Sequence, residues 1–307
     1  MSVQINDLSK HYGHQKAVDG LSFEAQKGEI LGFLGPNGAG KSTTMKMITG
    51  YLAPTSGSVM VCGMDTQEQT LEIQKKLGYL PEHNPLYKEM YVKEYLHFIA
   101  RIHKIPNRKT RVAEMISWTG LEREQHKPIA ALSKGYRQRI GLAQAMIHDP
   151  EVLILDEPTS GLDPNQLAEI RQLIKELGKE KTVILSTHIM QEVQALCDRV
   201  VIINQGEMVA NDTIQVLQAQ LNGGTLVRIQ FDKPVQKTAL TAIPGVQSIQ
   251  AFPKHIYEVT GNTDLDLRPS LFQFAVDQKL ILLEMTQKTR SVEAIFQELT
   301  QQQKNSN

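Results

Sequence analysis

Polar and apolar residues alternate at the start of the chain. Val3–Leu8 and Leu21–Glu24 therefore read as short strands, with His11-Tyr12-Gly13-His14 as the turn between them. Glu29–Leu34 is apolar enough for a buried strand. It runs into a glycine-rich loop, and Lys41–Ile48 then follows helical spacing up to Gly50, a residue that commonly closes helices. From Asn84 to His148 the apolar residues recur every three or four positions, most clearly over Val92–Ala100, Lys109–Thr119 and Gly135–Ile147. Val152–Leu155 and Thr182–Leu185 are continuous apolar runs, the pattern of parallel strands covered on both faces, and Asn165–Leu177 between them reads as an amphipathic helix. Strand, helix and strand in this order predict an α/β fold with right-handed crossovers.

The pattern breaks near Asn222-Gly223-Gly224. Beyond the break the expected elements are strand Thr225–Phe231, helix Val235–Ala242, strand Val246–Ala251, strand His255–Thr260, helix Pro269–Gln278, strand Leu280–Thr286 and helix Val292–Leu299. The first six spell β-α-β-β-α-β, the ferredoxin-like arrangement of a small α+β domain. Two domains are expected, residues 1–220 and 221–307, with a helical subdomain over about 84–148.

Composition narrows the function only a little. The 307 residues include 41% hydrophobic and 21% charged positions with no formal net charge, an ordinary composition for a chain that buries a core. Electrical neutrality gives no whole-molecule attraction for nucleic acid, and no direct nucleic-acid partner is expected. No segment approaches the ~20 apolar residues of a membrane span. The N-terminus lacks the charged and apolar regions of a signal peptide. Any work at a membrane is expected from outside the lipid. Cys62 and Cys197 fit neither a metal site nor a disulfide framework, and read as two buried thiols in a reducing compartment.

Chemistry enters with Gly35-Pro36-Asn37-Gly38-Ala39-Gly40-Lys41-Ser42-Thr43, which matches G-x-x-x-x-G-K-[ST] between a predicted strand and a predicted helix. Its glycines let backbone N–H groups turn inward around phosphate oxygens, and the following helix adds its positive end. Lys41 is expected to reach the β- and γ-phosphates of a nucleoside triphosphate, and the Ser42 hydroxyl to ligate Mg²⁺. Leu153-Ile154-Leu155-Asp156-Glu157 ends an apolar strand in two acids. Asp156 is then positioned for Mg²⁺ or its water, and Glu157 as a general base toward an attacking water.

A third segment, Leu132-Ser133-Lys134-Gly135-Tyr136-Arg137-Gln138-Arg139, precedes a helix ahead of Asp156. In that position it resembles the signature loop of the ABC ATPases. Asp156-Glu157-Pro158-Thr159-Ser160-Gly161-Leu162-Asp163 resembles that family's Walker B motif and D-loop, and Ser186-Thr187-His188 its switch histidine. Tyr12 lies where members stack an aromatic ring on adenine. The resemblance spans roughly residues 1–220. It implies an ATP-hydrolysing subunit at the cytoplasmic side of the membrane, peripheral, driving transmembrane permease subunits carried on separate chains. It also implies a homodimer in the ATP-bound state. Lys41, Ser42, Asp156, Glu157 and His188 would serve one ATP. Ser133 and Gly135 would grip the γ-phosphate of the partner's ATP, and Asp163 would connect the two sites.

Two segments depart from the family pattern. The usual Gln after Tyr79-Leu80-Pro81 is Glu82, which either ligates Mg²⁺ or couples to the permease. The signature loop carries Lys134 and Tyr136 where the family has Gly and Gln. Both departures resemble a bacterial exporter subgroup with separate permeases. Within it, Pro81–Tyr87, Leu132–Arg139, Pro164-Asn165-Gln166 and His188–Val193 look like the ATP-binding subunit associated with gliding motility. The C-terminal residues, ending in Ser291–Leu299, are similar to a small accessory domain of such exporters, with packing, dimer support, regulation and permease contact all open. The alternative is a soluble ABC ATPase acting on nucleic acid or ribosomes. It is disfavoured because the stretch between Lys41 and Asp156 has no sustained heptads and the chain carries one ATPase motif set.

Overall fold

The computed structural model describes residues 1–221, 226–261 and 266–288. The chain divides into two compact units, Met1–Thr213 and Ile214–Asn307. The first unit opens with β1 (Val3–Tyr12), β2 (Gln15–Ala25), β3 (Ile30–Leu34), α1 (Lys41–Ile48), β4 (Ser56–Val61) and β5 (Met64–Asp65). There follow α2 (Thr70–Lys76), β6 (Leu77–Leu80), α3 (Val92–Ile102), α4 (Arg108–Trp118) and α5 (Lys134–Met146). The unit closes with β7 (Val152–Asp156), α6 (Pro164–Gly178), β8 (Thr182–Thr187), α7 (Met190–Leu196), β9 (Arg199–Asn204) and β10 (Glu207–Asp212).

Its centre is a six-stranded sheet in the order β10-β9-β3-β8-β7-β6, parallel throughout except for β10 against β9. Every residue of β3, β7 and β8 is buried. The alternation along β7 shows why its run is uninterrupted. Val152 and Ile154 join the core beneath the small antiparallel sheet β2-β1-β4-β5 and α1, whereas Leu153 and Leu155 join the core beneath α3, α4, α5 and α6. A strand covered on both faces has no polar side to present.

The β1–β2 turn is tighter than the four residues expected. Tyr12 pairs with Gln15, so only Gly13 and His14 turn, and Gly13 takes a positive φ of 59°. The stretch expected to be helical resolves into α3, α4 and α5 with loops between them. Cys62 is partly exposed, which corrects the expectation for that thiol, whereas the Cys197 thiol packs against the core.

The second unit contains α8 (Ile214–Leu221), β11 (Leu226–Phe231), α9 (Lys237–Thr241), β12 (Val246–Phe252), β13 (Ile256–Gly261), α10 (Arg268–Asp277) and β14 (Leu282–Lys288). The strands form an antiparallel sheet in the order β12-β13-β11-β14. Val227, Ile229 and Phe231 on β11 and Tyr257 and Val259 on β13 bury one face against Leu240, Leu267 and Leu271. From β11 to β14 the described elements run β-α-β-β-α-β. The break at Asn222-Gly223-Gly224 and the helix expected over Val292–Leu299 lie outside the described residues.

One close approach fixes α5 on the sheet. A Cβ at Gly78 of β6 would lie 2.2 Å from the Ala145 carbonyl oxygen of α5, a backbone atom that cannot swing aside. Gly78→Ala should destabilise the first unit by about 1–3 kcal/mol, as overpacking of a filled core does. Urea unfolding followed by circular dichroism measures this, and an unchanged midpoint would show that α5 can retreat freely.

Candidate functional site

The glycine-rich loop leaves the end of β3, the centre of the sheet, and delivers the chain into α1 at Lys41. Gly38 and Gly40 take positive φ values of 82° and 106°, conformations that a side chain would oppose. Gly40 is the N-cap of α1, so the loop's amides and the helix's first free N–H groups belong to one concave stretch of backbone. From outside, Gly35 N–H donates to Thr187 O at 3.3 Å, and Gly206 N–H donates to Ala39 O at 3.0 Å.

This loop forms one wall of a cleft of about 530 Å³. Of the residues predicted from sequence, Tyr12, Asn37, Gly38, Gly40, Lys41, Ser42, Thr43, Glu82, Glu157 and His188 line it. Gly35, Pro36, Ala39 and Asp156 stand behind that lining. Ser160, from the segment resembling a D-loop, also lines it, as do Gln15 and Ala17, which carried no signal in the sequence.

Inside the cleft the Lys41, Glu157 and His188 side chains meet. The Lys41 ammonium donates to Gly35 O at 2.8 Å and Pro36 O at 3.2 Å, and lies 3.4 Å from Glu157 Oε1. His188 Nδ1 lies 2.9 Å from the other carboxylate oxygen, Glu157 Oε2. Lys41 and Glu157 are both buried, so this pair acts with little water between its charges. Glu157 has a left-handed backbone, φ 50°, and its N–H donates to Ser186 O at 3.1 Å and Ser186 Oγ at 3.2 Å.

Asp156 ends β7 opposite Ser186 of β8, and the Ser186 hydroxyl donates to the buried Asp156 carboxylate. Ser186 is a partner that sequence reasoning missed, because its position depends on strand register. The oxygens of Ser42, Asp156 and Glu82 are hard donors. One hydroxyl with one or two carboxylates is the set Mg²⁺ takes when phosphate oxygens and water complete its shell. These side chains therefore fit the ion.

Tyr12 is half-exposed at the rim, with the Lys10 ammonium 5.4 Å from its ring centroid. Ser133, Gly135 and Asp163 are likewise absent from this lining. Ser133 is the N-cap of α5 and accepts from Tyr136 N–H at 3.4 Å. Asp163 is the N-cap of α6, accepting from Asn165 N–H at 3.1 Å and Gln166 N–H at 3.0 Å. Gly135 packs so closely on α6 that an added Cβ would lie 2.3 Å from Gln166 Oε1. The signature-like loop and the start of α6 thus pack together, with the Lys134 ammonium beside Gly161.

Chemically, the cleft offers turned amides and one buried ammonium for phosphate, hard oxygens for a divalent cation, and a carboxylate held between a lysine and a histidine. The comparisons with known proteins agree. The family model described as ABC transporter matches residues 18–160. An uncharacterized ABC transporter ATP-binding protein, YxlF of Bacillus subtilis, is 36% identical over 96% of this chain and 98% of its own length. The Nod factor export ATP-binding protein I of Ralstonia nicotianae is 31% identical over 94% of this chain and 86% of its own. A dimeric ATP-binding cassette bound to ADP and Pi in a post-hydrolysis state superposes with a TM-score of 0.64 at 25% identity, covering 69% of this chain and 98% of that one. With this cradle at the head of β3 and relatives matching it nearly end to end, the chain belongs to the ATP-binding, ATP-hydrolysing subunits of ABC transporters.

Proposed function

We propose that Glu157 is the general base of ATP hydrolysis in this subunit, and that the two carboxylate contacts hold it ready. The single observation that carries the reading is the Lys41–Glu157–His188 constellation inside the phosphate cradle. Glu157 takes the proton of an attacking water on a carboxylate oxygen. His188 fixes that carboxylate through Oε2 and remains part-exposed toward the cleft. Lys41 turns its ammonium to the β- and γ-phosphates, and the amides of Gly38–Lys41 hold their oxygens. Ser42 and Asp156 would hold Mg²⁺, which when bound neutralises phosphate charge. Tyr12 offers its exposed ring to the adenine, a stacking worth ~1–3 kcal/mol.

The absence of Ser133, Gly135 and Asp163 from this lining supports a shared site. Each ATP would lie between Lys41 of one copy and Ser133 of another, with Asp163 linking the two sites of the dimer. The dimeric cassette relative fits this reading.

Permease coupling has its own support. Glu82 faces the ATP cleft, while its neighbours Pro81 and His83 line a separate groove of about 500 Å³ with Tyr79, Gln144 and His148. Burial pushes the His148 imidazole down to about 4, so this groove presents a neutral ring near pH 7. A permease segment seated there would be one residue away from the nucleotide through Glu82. Among the described residues no helix is long and apolar enough to cross a membrane, in keeping with a peripheral subunit serving a separate permease at the cytoplasmic face. The exporter reading rests on relatives such as the Nod factor export protein. The gliding-motility likeness rests on Pro81–Tyr87, Leu132–Arg139, Pro164-Asn165-Gln166 and His188–Val193 alone.

Glu157→Gln should leave MgATP binding intact and lower turnover at least about a hundredfold, since only the base is lost. Steady-state phosphate release within a few fold of the parent enzyme would overturn the assignment. Glu82→Ala should keep most ATPase activity of the isolated subunit and lose stimulation by the permease. A variant inert without permease would make Glu82 part of hydrolysis itself.

The shared site is tested by mixing Lys41→Ala with Ser133→Arg protomers. Each alone should be nearly inactive, while a mixed dimer has one site with both lesions and one intact. Recovery of phosphate release on mixing is expected. If tagged pull-down shows that mixed dimers form without any recovery, independent shared sites are excluded.

A further inference from the structure

Glu192 is fully buried on α7, outside the cleft lining. One of its carboxylate oxygens accepts from the Thr159 hydroxyl. The other accepts from the Thr187 hydroxyl at 2.6 Å. Both threonines are buried as well. Thr159 lies two residues after Glu157, and Thr187 immediately precedes His188. The two hydroxyls therefore belong to the two segments that carry the meeting carboxylate and imidazole.

The direction of these hydrogen bonds matters. Thr187 Oγ1 already accepts from Ile189 N–H at 3.0 Å, so its own proton points at Glu192 and the backbone on both sides of His188 is tied down. Thr187 O also accepts from Gly35 N–H at the entrance of the phosphate loop. A carboxylate accepts through both oxygens and donates through neither. A side-chain amide of the same shape offers one acceptor and one donor, so one of the two threonine hydroxyls would have to turn from donor to acceptor.

We infer that Glu192 is a positioning residue for hydrolysis, a buried two-oxygen clamp that sets the distance between Glu157 and His188. This rests on the roles proposed for those two residues. Glu192 touches no substrate. It acts by holding the Thr159 and Thr187 segments in one register, so that its loss would let the carboxylate drift from the water it must polarise.

The experiment measures kcat and KM for MgATP in Glu192→Gln, His188→Ala and the double variant, and in Thr187→Ser and Thr187→Val. Glu192→Gln should lower kcat at least about tenfold with KM changed less than about twofold, as loss of alignment does. In the His188→Ala background, Glu192→Gln should cost nothing further, because the alignment it protects is already gone. Thr187→Ser, which keeps the hydroxyl, should recover most of the rate lost in Thr187→Val. A purely structural role would instead give losses that multiply, and that result overturns the inference while leaving His188 in place. If His188→Ala alone leaves kcat unchanged, the reading of His188 fails and the clamp fails with it. Should Glu192→Gln not fold, judged by near-ultraviolet circular dichroism, the two threonine variants decide. Equal rates for Ser and Val overturn the proposal, and recovery by Ser alone supports it.

Discussion

At Gly35 and Gly40 three stretches of backbone come closer together than any side chain would allow. A Cβ on Gly35 would lie 2.6 Å from Ile203 O of β9, and one on Gly40 would lie 2.4 Å from Ala17 O of β2. Both obstacles are main-chain atoms, which cannot rotate away. The phosphate loop is therefore wedged between the central sheet and the first hairpin, and its shape follows from theirs. Its outer surface is tied at Thr187 O and Gly206 N–H, which leaves the inward amides to a ligand. A cradle built on a buried parallel sheet in this way keeps its geometry without a ligand to shape it.

The acids around this cradle share one design. Asp156, Glu157 and Glu192 are each buried, and each is answered by a different kind of partner. Asp156 receives a serine hydroxyl, Glu157 a lysine and a histidine, and Glu192 two threonine hydroxyls. Only Glu157, of the three, has a lysine ammonium among its partners, and it is also the one that lines the cleft. Hydroxyls fix a carboxylate's direction without neutralising it, whereas a lysine that can swing to a phosphate exchanges one anion for another.

Much of this was legible in the chain because the decisive residues are neighbours in sequence. Gly35–Thr43 is one segment, and Asp156-Glu157 is one dipeptide at the end of an apolar run. The two-sided strands declared themselves through Val152–Leu155 and Thr182–Leu185, since covering both faces removes every polar position. Partners set by register were not legible. Ser186 meets Asp156 only because β7 and β8 pair at that offset. Ala17 and Gln15 enter the cleft only because the hairpin turns at Gly13-His14, two residues fewer than the sequence suggested. The short elements β5, α2 and α7 went unread for a related reason. Each is too brief for its period to repeat clearly, and tertiary packing selects its conformation.

The backbone of Glu157 has a consequence of another kind. At φ 50° it occupies the left-handed region, which disfavours a side-chain-bearing residue by about 1–2 kcal/mol and suits glycine or asparagine. With Glu157 as the proposed base, the residue best for the fold at this position and the residue best for the chemistry are different. Stability selection and turnover selection pull against each other at a single codon, and the presence of a glutamate there is a signature of which one has prevailed. In a duplicated copy relieved of hydrolysis, this would be among the first positions to relax, and the copy would become sturdier as it became inert.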